Sequence, residues 1–217
     1  MMEKKPSLLC IIGVDGVGKT THAHKLLNLL RNKNITCKYT WFRFFHFFSL
    51  PLLAVCRLTG LTVYEGEGTK RVGKHEFYKS KIVSFIYPWI LFIDILPMYF
   101  IKIYIPLKFL GYTIISDRFI YDTLVDLMID TNDFKLYNKL IGKLFLRLIP
   151  QDTQTILIDL DESIIRNRRT DLLHDKSLRL RRDVYFMISK EFGIPTIKNN
   201  LDIEMIHINI AKNFGVY

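Results

Sequence analysis

Gly13-Val14-Asp15-Gly16-Val17-Gly18-Lys19-Thr20, with Thr21 directly after it, is the stretch from which the rest of the chain can be read. It fills every fixed position of the pattern G-x-x-x-x-G-K-[ST], but that pattern is short and its flanks have to support it. In front stands Leu8-Leu9-Cys10-Ile11-Ile12, an apolar run of strand length. Behind it, from Thr21 to Arg31, residues Ala23, Leu26, Leu27 and Leu30 recur at helical spacing. Strand, glycine loop and helix is the order that wraps an anion. Glycines let successive N–H groups converge on one phosphate, and the helix N-terminus adds positive potential. Gly13, Gly16, Val17, Gly18, Thr20 and Thr21 then cradle the phosphates of ATP, Lys19 reaches the β- and γ-phosphates, and the Thr20 hydroxyl holds Mg²⁺. A ligand-free glycine turn that happens to precede Lys-Thr would need both flanks to match by accident.

The chain of 217 residues suits a single domain, spanning 1–217, with a sizeable core. Lys and Arg outnumber Asp and Glu by 31 to 21, a formal charge of +10, which favours anionic partners. Nucleotides satisfy that preference, as would an acidic membrane surface, so nucleic acid is not required. Cys10, Cys37 and Cys56 show no paired spacing, and the charged start of the chain does not read as a signal peptide. Both point to a reduced, cytoplasmic protein.

Ile35 to Trp41 alternates as a second strand and runs into Phe42-Arg43. Arg43 is either a solvated charge or a ligand-facing residue at the end of a strand, where ligands of α/β folds gather. Phe42, Phe44, Phe45, Phe47 and Phe48 crowd the entry to residues 42–60. The expectation there is a helix or helical hairpin packed on the core or on a second subunit. An apolar substrate pocket, or a membrane contact with Arg43 and Arg57 near head groups, are the alternatives. Tyr64 to Lys74 reads as a mobile glycine-containing loop.

Ile82 to Ile101 is long and apolar enough to cross a bilayer, yet holds Pro88, Asp94 and Pro97. A buried helix fits better, with Asp94 facing the active site or pairing with a base. Tyr112 to Ser116 is the next strand, closed by Asp117-Arg118. An acid there either organises Mg²⁺ or caps the following helix, and Arg118 could bridge two phosphates. Helices are expected over Phe119 to Ile129 and Phe134 to Leu148, a strand over Thr155 to Leu160, and a helix from Asp161 onward. Arg166, Arg168, Arg169, Arg179, Arg181 and Arg182 then cluster, either as a solvated face or as a cover over phosphates with its tip at 171–175. Met205 to Asn209 reads as a terminal strand. Strands alternating with helices predict an α/β fold in three layers, about five parallel strands between helices.

These signals in this order resemble the thymidylate kinases, within the P-loop nucleoside monophosphate kinases. The matching stretches are the glycine loop with Asp15 at its third position, Phe42-Arg43, Asp117-Arg118-Phe119, and the run from Leu160 to Arg169. The resemblance implies Mg²⁺-dependent transfer of the γ-phosphoryl of ATP to a monophosphate, commonly in a homodimer. It implies that Asp15 contacts the acceptor sugar, that Arg43 and Arg118 hold its phosphate, and that Asp117 acts through Mg²⁺ and water. Relatives without an arginine in the glycine loop supply one from the cover, or lid, here about 166–182. Positions 14–17 hold no arginine, so Arg168 or Arg169 takes that part. The acceptor region would span about 42–110, with Phe92 stacking on the base. Asp94 is a departure, standing where the family places a basic base-reading residue; an acceptor in place of a donor reverses the hydrogen-bond logic. Two other readings stay open: a kinase of an apolar or lipid-linked acceptor, and an ATP-binding module docked on a membrane.

Overall fold

Leu8 to Ile12 are all buried, as a strand covered by helices on both faces must be. In the computed structural model, which describes residues 7–43, 46–65, 72–169, 175, 177–200 and 202–216, this strand is the centre of the molecule. The first half of the chain runs β1 (Leu8–Ile12), α1 (Lys19–Asn32), β2 (Cys37–Trp41), α2 (Ser49–Leu58), β3 (Thr62–Glu65), β4 (Val72–His75) and α3 (Lys81–Tyr99). It continues through α4 (Ile105–Lys108), β5 (Thr113–Asp117), α5 (Ile120–Thr131) and α6 (Leu140–Arg147). The last part is β6 (Thr153–Asp159), α7 (Glu162–Arg168), α8 (Leu178–Glu191), β7 (Thr196–Lys198) and α9 (Ile203–Asn213).

Five strands pair in the order β2-β5-β1-β6-β7, and every neighbouring pair is parallel. From β1 the chain crosses to β2 and β5 on one side of it and then passes to β6 and β7 on the other, so the crevice that collects ligands lies at the C-terminal end of β1. Register brings the functional ends level there. Ile11 stands opposite Asp117, and Trp41 opposite Asp117 on the other side. The amide of Arg118 donates to Ile11 O (3.1 Å), and that of Phe42 to Asp117 O (3.1 Å). α1 packs on β2, β5 and α9, while α5 gathers α3, α6 and α8. The three-layer P-loop nucleoside triphosphatase fold expected from the alternating elements is the one observed.

Four local expectations are corrected. The segment Met205 to Asn209 is helical, inside α9, because burial falls on Ile206, Ile210 and Ala211 and Asp202 caps the helix by accepting the Glu204 amide (2.9 Å). Its β-prone residues are overruled by packing against α1. The last strand is instead β7, just after Pro195. The two ends of Tyr64 to Lys74 belong to the antiparallel pair β3–β4, registered from Thr62↔His75 to Glu65↔Val72; residues 66–71, with Gly66 and Gly68, lie outside the described residues, as do Phe44 and Phe45. The helix expected over Phe134 to Leu148 is broken at Lys139, which is extended between a 3₁₀ turn (Leu136–Asn138) and α6. Finally, the helix expected to be buried over 82–101 is buried along one side only.

Candidate active site

The glycine loop owes its shape to contacts that side chains would block. Gly13 has φ +141°, and a Cβ there would stand 2.4 Å from Ile158 O on the neighbouring strand. Gly16 has φ +90° and lies under the Arg169 side chain, whose Cγ would be 3.1 Å from an added Cβ. From below, the Asn199 amide donates to Val17 O (2.6 Å), while the Asn199 backbone N–H holds Asp159 O (2.7 Å). Asn199 thus clamps the loop to the end of β6. Nothing in the sequence around it marks that role.

Lys19 opens α1 with its side chain buried, its amine donating to Gly13 O (2.8 Å) and Val14 O (2.7 Å). Burial, and next the Arg118 guanidinium, push its pKa down to about 8, with Asp15 pulling the other way. The adjoining Thr20 hydroxyl donates to Asp117 Oδ2 (2.5 Å), an oxygen that also accepts from Tyr39 OH (3.3 Å). The second carboxylate oxygen, Asp117 Oδ1, is buried and has no protein donor. A buried carboxylate oxygen without a partner is costly, and a hydrated cation answers it. Among the described residues no cluster of three or more His, Cys, Asp or Glu could enclose a metal. The donor set therefore fits a magnesium ion that takes its other ligands from phosphates and water, as Mg²⁺ prefers.

Asp15 forms the next part, ion-paired through Oδ1 with Arg118 Nη2. Burial would raise its carboxyl, but Arg118, Lys19, Arg43 and Arg169 together hold it below the usual range. Arg118 itself has φ +69°, an uncommon left-handed conformation for a residue with a side chain, held by Ser116 Oγ donating to Arg118 O (2.6 Å). The turn swings the guanidinium back over the loop, with Asp122 Oδ1 at 3.5 Å behind it. Asp122 in turn accepts from Phe119 N (2.9 Å) and Tyr185 OH (2.6 Å).

α5 extends this polar line inward. Asp122, Asp126 and Asp130 follow at four-residue spacing and are all buried. Arg181 pairs with Asp126, and burial followed by the Asp126 charge pushes Asp130 well above the usual range. Acids every four residues in an otherwise apolar helix are the sequence signal of this ladder, which the expected site residues did not include.

A cavity of about 420 Å³ joins these groups. Of the expected site residues, Asp15, Gly16, Gly18, Lys19, Thr20, Thr21, Arg43, Asp117, Arg118, Arg168 and Arg169 line it, together with Trp41. Gly13 and Val17 belong to the same loop beneath the surface, Val17 fully buried. Phe92 and Asp94 do not line it. Phe92 packs edge-on against Phe145 of α6 (ring centroids 5.2 Å). Asp94 accepts from the amides of Phe48 (2.7 Å), Ser49 (3.0 Å) and Phe47 (3.1 Å) and from Ser49 Oγ (2.5 Å). It is the N-terminal cap of α2, supplied from another helix, and needs no basic partner. Burial would raise its carboxyl, but these four donors, Ser49 Oγ foremost, bring it below the usual range.

The arginine run divides in two. Arg168 and Arg169 face the cavity. Arg166 is tied to Glu162 (2.7 Å) and Asp175 O (2.9 Å), Arg181 to Asp126, and Arg182 to Asp159 (2.6 and 2.8 Å). Arg181 and Arg182 therefore anchor α8 to α5 and β6. Of the expected cover tip, 171–174 lie outside the described residues.

No protein-family model matches the chain, and no curated protein does. Among solved structures it is similar to thymidylate kinase from Ehrlichia chaffeensis, with 20% identity, a TM-score of 0.54, and coverage of 96% of this chain and 99% of that one. At that identity the likeness is one of fold, and it runs through the whole domain.

Proposed function

We propose that this chain is a Mg²⁺- and ATP-dependent kinase that phosphorylates a monophosphate, with thymidine monophosphate as the first acceptor to try. The observation that carries this reading is the meeting, in one cavity, of a complete phosphate loop with four arginines it does not need for ATP alone. Arg43 and Arg118 suit a second phosphate, and Arg168 and Arg169 suit the charge that builds on the moving phosphoryl group. The similarity in fold to a thymidylate kinase supports the same class of acceptor.

In this mechanism the protein positions and neutralises; it supplies no covalent intermediate. The loop amides and Lys19 hold the triphosphate. Thr20 and Asp117 would hold Mg²⁺, which would supply charge neutralisation at the triphosphate. Arg118, held by Asp15 and Asp122, aims the acceptor phosphate in line with the γ-phosphoryl. Arg169, stacked over Gly16, stabilises the transferring group. Asp126 and Asp130 stand deeper along α5, with Arg181 of α8 paired to Asp126, where the rest of the acceptor would reach.

A second reading has its own observation. Trp41 lines the cavity while half-exposed beside a broad apolar surface, an arrangement that suits a phosphate carried on an apolar group. One experiment separates the two: Mg²⁺-dependent ADP release from ATP with thymidine monophosphate, other nucleoside monophosphates, and a lipid phosphate in mixed micelles. Stimulation by a nucleotide that is lost in Lys19→Met is expected. Stimulation by the lipid phosphate alone would replace the first reading with the second. If ATP binds and no acceptor stimulates, the kinase reading fails.

A further inference from the structure

α3, a π-helical turn (Phe100–Tyr104) and α4 form one rod of 28 residues, Lys81–Lys108, long and apolar enough to cross a membrane. Only 39% of its most apolar window is buried, so it is not a core helix. Its faces are sharply sorted. Val83, Tyr87, Leu91, Ile95, Tyr99 and Ile103 sit in the domain core at four-residue spacing. Away from them, every exposed residue between 82 and 107 is apolar or aromatic, and Ile82 (71%), Phe85 (70%) and Ile101 (66%) are the barest. Phe109 prolongs the stripe at one end. Asp94 pins the amides of Phe47 and Phe48 to the middle of α3, which places two more exposed rings beside Ile93. An apolar surface of this extent on a domain marks an interaction site.

The charges along it are mostly cationic: Glu76 is ion-paired with Lys79 and Asp152 shares a cavity with Lys108, while Lys81 and Lys102 have no acid paired with them among the described ion pairs. Between 77 and 112 the charged residues are Lys79, Lys81, Asp94, Lys102 and Lys108, and Asp94 is buried in its cap. α2, which packs on α3, adds Arg57. A second copy docked through the same face would bring this cationic rim against itself. Anionic lipid head groups complement it. The rod cannot span the bilayer, because one side is built into the α/β core and holds a carboxylate at mid-length. An apolar stripe edged by lysines, with its back buried, suits a helix lying in the interface plane. We propose that the outer face of 81–109, with Phe47 and Phe48, docks the protein on an anionic membrane surface. Lys102 Nζ donates to Trp41 O (3.2 Å), so docking brings the rim of the cavity close to the head groups. This inference does not depend on the reaction catalysed.

The test is flotation of the full chain with vesicles of phosphatidylcholine, alone or with about one-third phosphatidylserine. The unaltered chain is expected to float with the anionic vesicles and to release as salt rises. Phe85→Glu with Phe100→Glu is expected to reduce binding at least about tenfold, Lys81→Glu with Lys108→Glu several-fold, and Met205→Glu on α9 not at all. ATP binding checks that the variants fold. A measurement without mutants stands beside it: vesicles with brominated acyl chains should quench Trp41 and Trp89 emission only when phosphatidylserine is present. Failure to float with either vesicle, unquenched emission, or equal flotation of the Phe85→Glu, Phe100→Glu variant would each overturn the proposal. So would a dimer in sedimentation that this variant converts to a monomer, which would assign the face to a second copy.

Discussion

Nucleotide binding should take up a proton, by an amount that the Lys19 site sets. Burial, and next the nearby Arg118 charge, bring the pKa of its amine down to about 8 from an ordinary 10.5. A bound polyphosphate replaces that setting with several negative charges and returns the pKa to the ordinary range or above. The proton taken up equals the fraction of Lys19 that is neutral in the free chain: about one-tenth at pH 7, about one-half at pH 8 and about nine-tenths at pH 9. By linkage, ATP affinity should fall about tenfold between pH 7 and pH 9. Calorimetric titration of ATP in buffers of different ionisation enthalpy reads the proton count directly as a slope. The sign extends to stability. A lysine whose native pKa is depressed costs stability below about pH 8, and that cost is relieved as pH rises toward about 10.5, so the free chain gains relative stability over that window. A slope near zero at both pH 8 and pH 9 would show that the amine is fully charged before ATP arrives. The electrostatic account of the loop would then be wrong.

Three further outcomes test the remaining parts of the site. Asp117→Asn removes the charge behind Thr20 and should lower kcat by about 10²- to 10³-fold, with metal-free ATP binding nearly unchanged in equilibrium dialysis. Arg169→Met should cost kcat at least about 10³-fold and more than Arg168→Met, because Arg169 lies over Gly16 and contributes to the low carboxyl pKa of Asp15; steady-state kinetics on both variants decides. Asp94→Ala strips four donors of their acceptor and should destabilise the fold by about 3 kcal/mol in urea melts while leaving acceptor KM unchanged. Because that carboxyl is held below the usual range, its contribution is present above the ordinary aspartate pKa and fades as pH falls through the lowered one; a KM change without loss of stability would return Asp94 to the acceptor site.

The parts legible in the sequence are those whose chemistry is contiguous. A phosphate loop works through neighbouring amides, so Gly13 to Thr21 carry their own geometry once a strand and a helix flank them. Asp117 was readable because an apolar strand that ends in an acid places it at the ligand-collecting edge of a parallel sheet. Arg43 was readable for the same reason. Residues whose partners lie far along the chain were not. Asn199 reaches Val17 across 182 positions, and Asp94 meets its donors 45 to 47 positions away. No local pattern encodes either contact, and packing alone decided that Asp94 caps α2. The same limit explains α9, where β-prone residues became helix because their buried positions face α1, and the cluster of arginines, two of which, Arg181 and Arg182, anchor α8. Hydropathy announced that 82–101 is apolar, since that depends on composition. Which side of it the core covers, and which is left bare, depends on where α5 and α6 lie, and only the tertiary structure decides that.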